Sequence, residues 1–191
     1  MQTQQKSTES ERLGPLAHLV GTWEGEKGHE FAPSPQESEK TRYRETVSFE
    51  PVGPIVNGSR MLYGLRYSTH AWSYDDEHPF HEELGYWLWS PEDSQVIRCL
   101  SKRNGIAINA GGQCVRDDAR HLELSAQADG DIFGIASTPS LNQGFKAVSY
   151  KFTLDVEDEN HISYVEEIRL KNGSEGAEYT QKEENELTRR F

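Results

Sequence analysis

The chain has 191 residues, a length that suits one domain better than two. Its 32 Asp and Glu residues outnumber 20 Lys and Arg, and the net charge of −12 repels nucleic acid and anionic membranes on average. No apolar run approaches the ~18 residues of a spanning helix, and the N-terminus has no apolar segment of secretory type. Composition therefore predicts a cytoplasmic protein with no nucleic-acid or membrane partner.

The two ends of the chain differ from its middle. Residues 1–12 are polar without periodicity and predict a flexible N-terminal tail, whereas residues 13–191 contain no linker or repeat and predict a single domain. The apolar residues 13–20 predict one or two helical turns. Residues 30–40, which include Pro33 and Pro35, predict an exposed loop.

Most of the remaining chain alternates with a period of two. Residues 41–49 place Tyr43, Val47 and Phe49 on one face and polar side chains on the other, which is typical of a half-buried β-strand. The same alternation recurs at residues 61–71, 122–128, 148–156 and 162–170. The pattern indicates that β-strands dominate the fold.

Turn sequences separate these runs, among them Asn57-Gly58, Asp129-Gly130 and Asn172-Gly173. Runs and turns together give roughly ten antiparallel strands, and closing so many strands into a barrel removes the exposed edges. We therefore predict an all-β fold, a roughly ten-stranded antiparallel up-and-down β-barrel of the lipocalin or fatty-acid-binding-protein type. Residues 13–20 and 140–146 supply one or two short helices, and ten strands leave a cavity.

Two carboxylates fall on the inward phase of predicted strands, Glu45 and Glu166. A lone carboxylate in a dry apolar core costs several kcal/mol unless it is paired or hydrogen-bonded. Three alternatives remain open at this point: a wet lumen, buried pairing with arginine, or a strand end or bulge that turns each carboxylate to solvent.

Other chemistry-bearing residues form no recognisable site. Cys99 and Cys114 lie in no metal or redox motif and predict free, buried thiols. His70, His78 and His81 have no standard zinc spacing and predict a solvated loop rather than a metal site. There is no serine elbow, no nucleophile with a paired base and no acid pair in a known frame, so we predict no catalytic residues.

One motif near the start is typical of small ligand-binding barrels. The segment GTWEGE at residues 21–26 combines a glycine-flanked strand with a single indole, which can plug the closed end of a barrel. Four further segments follow in the order seen in one family: RYRETVSFEP at 42–51, HEELGYWLW at 81–89, RNGIAINAGG at 103–112 and ENELTRRF at 184–191. Over about residues 13–191 the chain resembles the nitrobindin family, heme-binding β-barrels also described as fatty-acid-binding-protein-like.

The resemblance implies a ten-stranded barrel that holds heme b in its mouth, with ferric iron bound by one histidine of the last strand. His81 matches a family histidine near the heme pocket, and the implied ligand pocket contains Thr22, Trp23, His81, Tyr179 and Gln181. The stretch that corresponds to the axial histidine is residues 179–182, and no histidine follows His161. Because heme iron takes His, Cys, Met or Tyr as its axial donor, the alternative ligands here are His81 and Tyr179.

Several functions are compatible with this sequence. The first is a small-molecule-binding barrel of nitrobindin type that holds heme or a similar apolar ligand in its mouth. The alternative is a heme-free carrier of fatty acid or another apolar ligand. The family's link to peroxynitrite isomerisation needs ferric heme, and the absent last-strand histidine counts against that activity. A third reading is an interaction module with a packed lumen, and a homodimer is compatible with all three.

Overall fold

The computed structural model describes residues 12–32, 39–172 and 176–191, so the predicted tail lies outside the described residues up to position 11. Eleven β-strands account for most of the described chain. Their bounds are β1 (Gly21–Ala32), β2 (Glu39–Asn57), β3 (Arg60–Ser73), β4 (His81–Ser90), β5 (Gln95–Lys102), β6 (Ala107–Gln113), β7 (His121–Gln127), β8 (Gly134–Ala136), β9 (Phe145–Val156), β10 (His161–Asn172) and β11 (Glu178–Arg190).

The strands form one closed barrel, which confirms the predicted fold class. The order around the barrel is β1-β11-β10-β9-β7-β8-β6-β5-β4-β3-β2, and β1 pairs with both β2 and β11. All pairs are antiparallel except the contact between β7 and β8. The alternating runs of the sequence correspond to β2, β3, β7, β9 and β10, whereas β8, with three residues, is too short to show an alternation.

Two short helices accompany the barrel, close to where the sequence predicts them. A 3₁₀ helix spans Gly14–Leu19, and α1 spans Pro139–Gly144, after which β9 begins at Phe145 rather than beyond residue 146. Strands β1 and β2 also extend into the predicted loop at residues 30–40, of which residues 33–38 are outside the description. In the described ranges no helix has the length and apolar character needed to cross a bilayer.

The 3₁₀ helix closes one end of the barrel. Leu16 and Leu19 on this helix are fully buried, as is Trp23 at the start of β1. The Trp23 indole Nε1–H donates to the Leu19 carbonyl oxygen at 2.7 Å, which joins the helix to the barrel wall. Burying these large apolar side chains stabilises the fold by roughly 25 cal/mol for each Å² of apolar surface removed from water.

The opposite end is built differently, and we call it the mouth. Because neighbouring strands are antiparallel, the starts of β4, β9 and β11 meet the ends of β3, β5 and β10 at this end. The mouth brings together three polar or charged residues, His81, Lys102 and Gln181, and the apolar residue Ile168. The barrel therefore has one dry end and one polar end.

Arg189 of β11 fastens the 3₁₀ helix to the last strand. Its guanidinium donates to the carbonyl oxygens of His18 (2.9 Å), Glu159 (2.7 Å) and Val20, and lies 4.2 Å above the Trp23 ring. A charged donor thus satisfies carbonyl groups at the helix end that lack helical partners.

We predict that Arg189→Met lowers the free energy of unfolding by about 1.5–3 kcal/mol, because hydrogen bonds to a charged group are lost. Urea denaturation followed by tryptophan fluorescence measures the change. The matched control is Arg190→Met, since Arg190 makes an exposed ion pair with Glu24 at 2.6 Å and its loss changes stability little. Equal effects of the two variants would contradict the role given to Arg189.

Candidate functional site

A single guanidinium crosses the centre of the barrel. Arg98 of β5 donates from Nε to the Tyr67 hydroxyl at 3.1 Å and from Nη1 to Glu166 Oε2 at 2.9 Å. Its other contacts go to Tyr150 and Glu83, and the guanidinium lies 4.0 Å above the Phe152 ring. Arg98 therefore links strands β3, β4, β9 and β10 through the lumen.

Lys102 adds a second cation one layer nearer the mouth. Its ammonium donates to Glu166 Oε1 and lies 3.9 Å from both Glu83 Oε2 and Glu183 Oε1. The pairing of β10 with β11 places Glu166 directly opposite Glu183, so the lysine sits among three carboxylates. For Glu166 this settles the alternatives in favour of buried pairing, with lysine as well as arginine.

Glu45 belongs to a separate, uncharged cluster. Its Oε2 accepts hydrogen bonds from the Tyr164 hydroxyl at 2.8 Å and from Asn185 Nδ2 at 3.0 Å. The Tyr43 hydroxyl lies 2.8 Å from that of Tyr164, and it donates there because Tyr164 donates to Glu45. Glu45 is thus buried and hydrogen-bonded but has no cationic partner in direct contact among the described residues.

The two clusters have opposite electrostatic consequences. Burial raises the pKa of Glu45 to about 7, although its hydrogen bonds from Asn185 and Tyr164 act in the other direction. Burial also favours the neutral form of Glu166, but the charges of Lys102 and Arg98 outweigh it and lower its pKa to about 2. The pKa of Glu183 is raised, chiefly by burial, against the attraction of Lys102. Glu45 therefore takes up a proton at a higher pH than Glu166 does.

The space left inside the barrel is small. The cavity in the lumen measures about 40 Å³, and the side chains that line it with polar groups include Glu45, Tyr67, Thr69, His81, Glu83, Arg98, Tyr164 and Glu183. Sites for drug-sized ligands span roughly 300–1,000 Å³, so the lumen has no room for such a molecule. The expectation of a vacant lumen is therefore wrong for the described residues, because long charged and aromatic side chains fill the space that ten or eleven strands enclose.

Aromatic side chains lie around the mouth, on the solvent side of a group of polar residues that we call the floor: His81, Glu83, Lys102, Glu166 and Glu183. Phe80, which precedes β4, contacts Tyr43 edge-on with ring centroids 5.9 Å apart and lies 6.5 Å from the His81 ring. On the other side, Phe145 and Tyr179 make a second edge-on pair at 5.7 Å. Phe80 and Phe145 are exposed, although both are large and apolar. The exposed aromatic rings beside polar side chains make the mouth the candidate functional site.

The structure places the five residues of the implied pocket at two ends. His81, Tyr179 and Gln181 lie at the mouth, where Gln181 donates to Glu30 Oε1 at 2.7 Å. Trp23 lies at the opposite, closed end, and the Thr22 hydroxyl is 3.3 Å from that of Ser48 in the barrel wall. The mouth and the closed end therefore do not form one pocket.

The mouth can be tested for its fit to heme from its donor atoms. Among the residues that line the described cavity, His81 is the one imidazole, and 19% of its side chain is exposed. On β11 the residues opposite Ile168 and Glu166 are Gln181 and Glu183, which are not among the usual donors to heme iron. The residues present fit a porphyrin held at the mouth beside His81, and they do not fit one inserted into the filled lumen.

Thiols and metal-ligand clusters contribute no further site. Cys99 is free and half-buried, with its Sγ 3.2 Å from Asn109 Oδ1, and Cys114 is free and buried. Searching the described ranges finds no group of three His, Cys, Asp or Glu side chains arranged to hold a metal ion.

Sequence reasoning missed Arg98, Lys102 and Glu83, which carry most of the lumen charge. One pattern was available to find them: in β5, Val96, Arg98, Leu100 and Lys102 share a phase, and all four are buried. Two basic residues on the same strand face as Val and Leu indicate cations that point into the barrel. The inward carboxylates Glu45 and Glu166 were candidates to balance their charge.

We predict that Arg98→Met destabilises the protein by about 3–5 kcal/mol, because buried Glu83 loses its nearest cation and buried Glu166 loses one of its two cationic partners. Chemical denaturation measures the loss. The matched control is Arg66→Met in β3, since Arg66 makes only an exposed pair with Glu50 and its loss should change stability little. A loss for Arg98→Met no larger than that of the control would show that the network does not hold the barrel together.

A second prediction concerns pH. The pKa of Glu45 is about 7 in the folded chain and 4.5 as its ordinary value, so the folded state binds an extra proton between these pH values. The raised pKa of Glu45 contributes on the order of 3 kcal/mol to the free energy of unfolding. This contribution is fully present below pH 4.5 and is lost as the pH rises to 7. Glu45→Gln should therefore gain stability relative to wild type across this window, whereas exposed Glu50→Gln should run parallel to wild type. Parallel profiles for Glu45→Gln would refute the burial of a neutral carboxyl.

Comparisons with known proteins agree with this architecture. A protein from Arabidopsis thaliana named peroxynitrite isomerase Rv2717c is 25% identical over 142 residues, covering 74% of this chain and 75% of the relative. The crystal structure of Rv2717c from M. tuberculosis superposes with a TM-score of 0.67 at 22% identity, covering 94% of this chain and 98% of the other, and so shows the same fold. The family described as the THAP4-like, heme-binding β-barrel domain matches residues 12–189. The chain belongs to this nitrobindin family of heme-binding β-barrels.

Proposed function

We infer that this chain is a small-molecule-binding barrel that holds a planar, largely apolar ligand at its mouth, with heme as the ligand typical of its family. The observation that carries the inference is the exposed aromatic rim of Phe80 and Phe145 above a floor that contains His81. Aromatic rings of this kind bury a large apolar area against a flat ligand. The polar floor suits a ligand that is apolar on its faces and charged at its edge.

For heme itself, the chain's own residues would share the work. Phe80 and Tyr43 would pack against the ring, and His81 would present its imidazole to the iron. Bound heme would supply an iron centre able to take a further small ligand. The Lys102 ammonium is already neutralised by Glu166, Glu183 and Glu83, so it is engaged within the floor.

A heme-free planar ligand is the second candidate. It is favoured by β11, whose Gln181 and Glu183 stand opposite Ile168 and Glu166 and supply no usual iron donor. A fatty-acid chain is less suited, because the Arg98 network crosses the lumen that such a chain would need to enter. Apolar area alone can still hold a macrocycle at the mouth without an iron bond.

We predict that hemin added to the purified protein gives a Soret band that survives desalting, and that His81→Ala shifts this band. The variant should also weaken hemin binding by at least about tenfold, equivalent to ~1.4 kcal/mol, because the iron loses its nearest imidazole. Absorbance titration with hemin measures both. His121→Ala is the matched control, since His121 lies on the outer surface and its Nδ1 is 2.6 Å from Asp155 Oδ1.

Equal and negligible effects of the two variants would remove His81 from the site. Tyr179→Phe, measured in the same titration, tests the alternative iron ligand while keeping the edge contact with Phe145. Another outcome is that hemin gives no band that survives desalting while a fluorescent apolar probe binds and Phe80→Ala weakens the binding of that probe. In that case a heme-free planar ligand replaces heme as the proposed ligand. Binding of neither would overturn the proposed function.

A further inference from the structure

One residue that lines the cavity below the mouth carries a buried polar group with no partner among the described residues. Trp87 of β4 lines this cavity and is 1% exposed. Its indole Nε1–H is buried and has no acceptor among the residues that the structure describes. Buried indole N–H groups normally find a hydrogen-bond partner, so this donor indicates an acceptor supplied by something other than these side chains.

The rest of the cavity lining offers the complementary groups. Glu45, Glu83 and Thr69 face the same space and bring carboxyl and hydroxyl oxygens to it. A water-sized molecule needs about 10–15 Å³ and two to four polar partners, and a cavity of about 40 Å³ exceeds that minimum. The space is much smaller than a porphyrin or a lipid chain requires.

Charge narrows the class of occupant. An anion in the cavity would face Glu83 and Glu183, both of which line it. A cation would meet the Arg98 guanidinium and would leave the Trp87 donor without an acceptor. A neutral molecule that both accepts and donates hydrogen bonds satisfies Trp87 and a carboxyl oxygen together.

We propose that the inner cavity is a second binding site, distinct from the mouth, that holds a small neutral hydroxylic molecule on Trp87 Nε1, with water as its resident ligand. The barrel then has two chambers: an aromatic mouth for a flat ligand and an inner polar chamber below it. His81 belongs to both, because it lines the cavity and is partly exposed at the mouth. The proposal concerns the inner chamber and does not depend on which ligand the mouth binds.

The test is magnetisation transfer from water to tryptophan indole protons in the ¹⁵N-labelled full chain. We expect a nuclear Overhauser cross-peak between water and the Trp87 indole proton, with the sign of a long-lived bound water. The internal control is Trp23, which is equally buried but donates to the Leu19 carbonyl oxygen at 2.7 Å, and its indole proton should give no such cross-peak. The resonance of the Trp87 indole proton is assigned by its disappearance in Trp87→Phe. If that variant does not fold, sequential assignment of the wild-type chain identifies the resonance.

Relayed exchange through a hydroxyl proton is separated by three single variants, Thr69→Val, Tyr67→Phe and Tyr164→Phe, each of which removes one hydroxyl from the cavity lining. A cross-peak that persists in all three variants supports bound water. A cross-peak that is lost in any one of them, or the absence of any transfer to Trp87 in the wild-type chain, would overturn the proposal. A failed hemin titration leaves this result unaffected, so the two proposals fail separately.

Discussion

The Arg98 guanidinium is the contact on which the barrel interior depends. It is buried at the centre of the barrel, where a charge without partners costs several kcal/mol. Its hydrogen bonds to two tyrosine hydroxyls and two glutamate carboxylates offset that cost; the acceptors are Tyr67, Tyr150, Glu83 and Glu166. Because these partners come from four other strands, one side chain sets the spacing of opposite walls. Packing of apolar residues alone would specify the interior less uniquely.

The polarity of the lumen follows from the difference between its two ends. The 3₁₀ helix and Trp23 exclude water from the closed end, where the interior is apolar. Toward the mouth, Lys102 and its carboxylates form a floor that no long apolar chain can pass. The proposed flat ligand is therefore assigned to the mouth, because the free space below Lys102 measures only about 40 Å³.

Membership of the heme-binding family is shown by the match over residues 12–189. The last strand of this chain, β11, nevertheless carries no histidine. Inward-facing positions of β11 carry Gln181 and Glu183 instead of an imidazole, and Glu183 joins the Lys102 cluster. Strand β11 therefore contributes a carboxylate to the ion-pair network of the lumen and no imidazole to the mouth.

The sequence alone determined the strand content, the closure into a barrel and the burial of Tyr43, Val47 and Phe49, because a period of two and regular turns are local properties. It also placed Glu45 and Glu166 on the inward phase. Only the tertiary structure decided that Arg98 and Lys102 meet them and that the lumen is filled. Those contacts join residues more than 60 positions apart, Arg98 to Glu166 and Lys102 to Glu166, across a barrel whose register and shear set the distances. No local pattern encodes which side chains point at one another through a common interior.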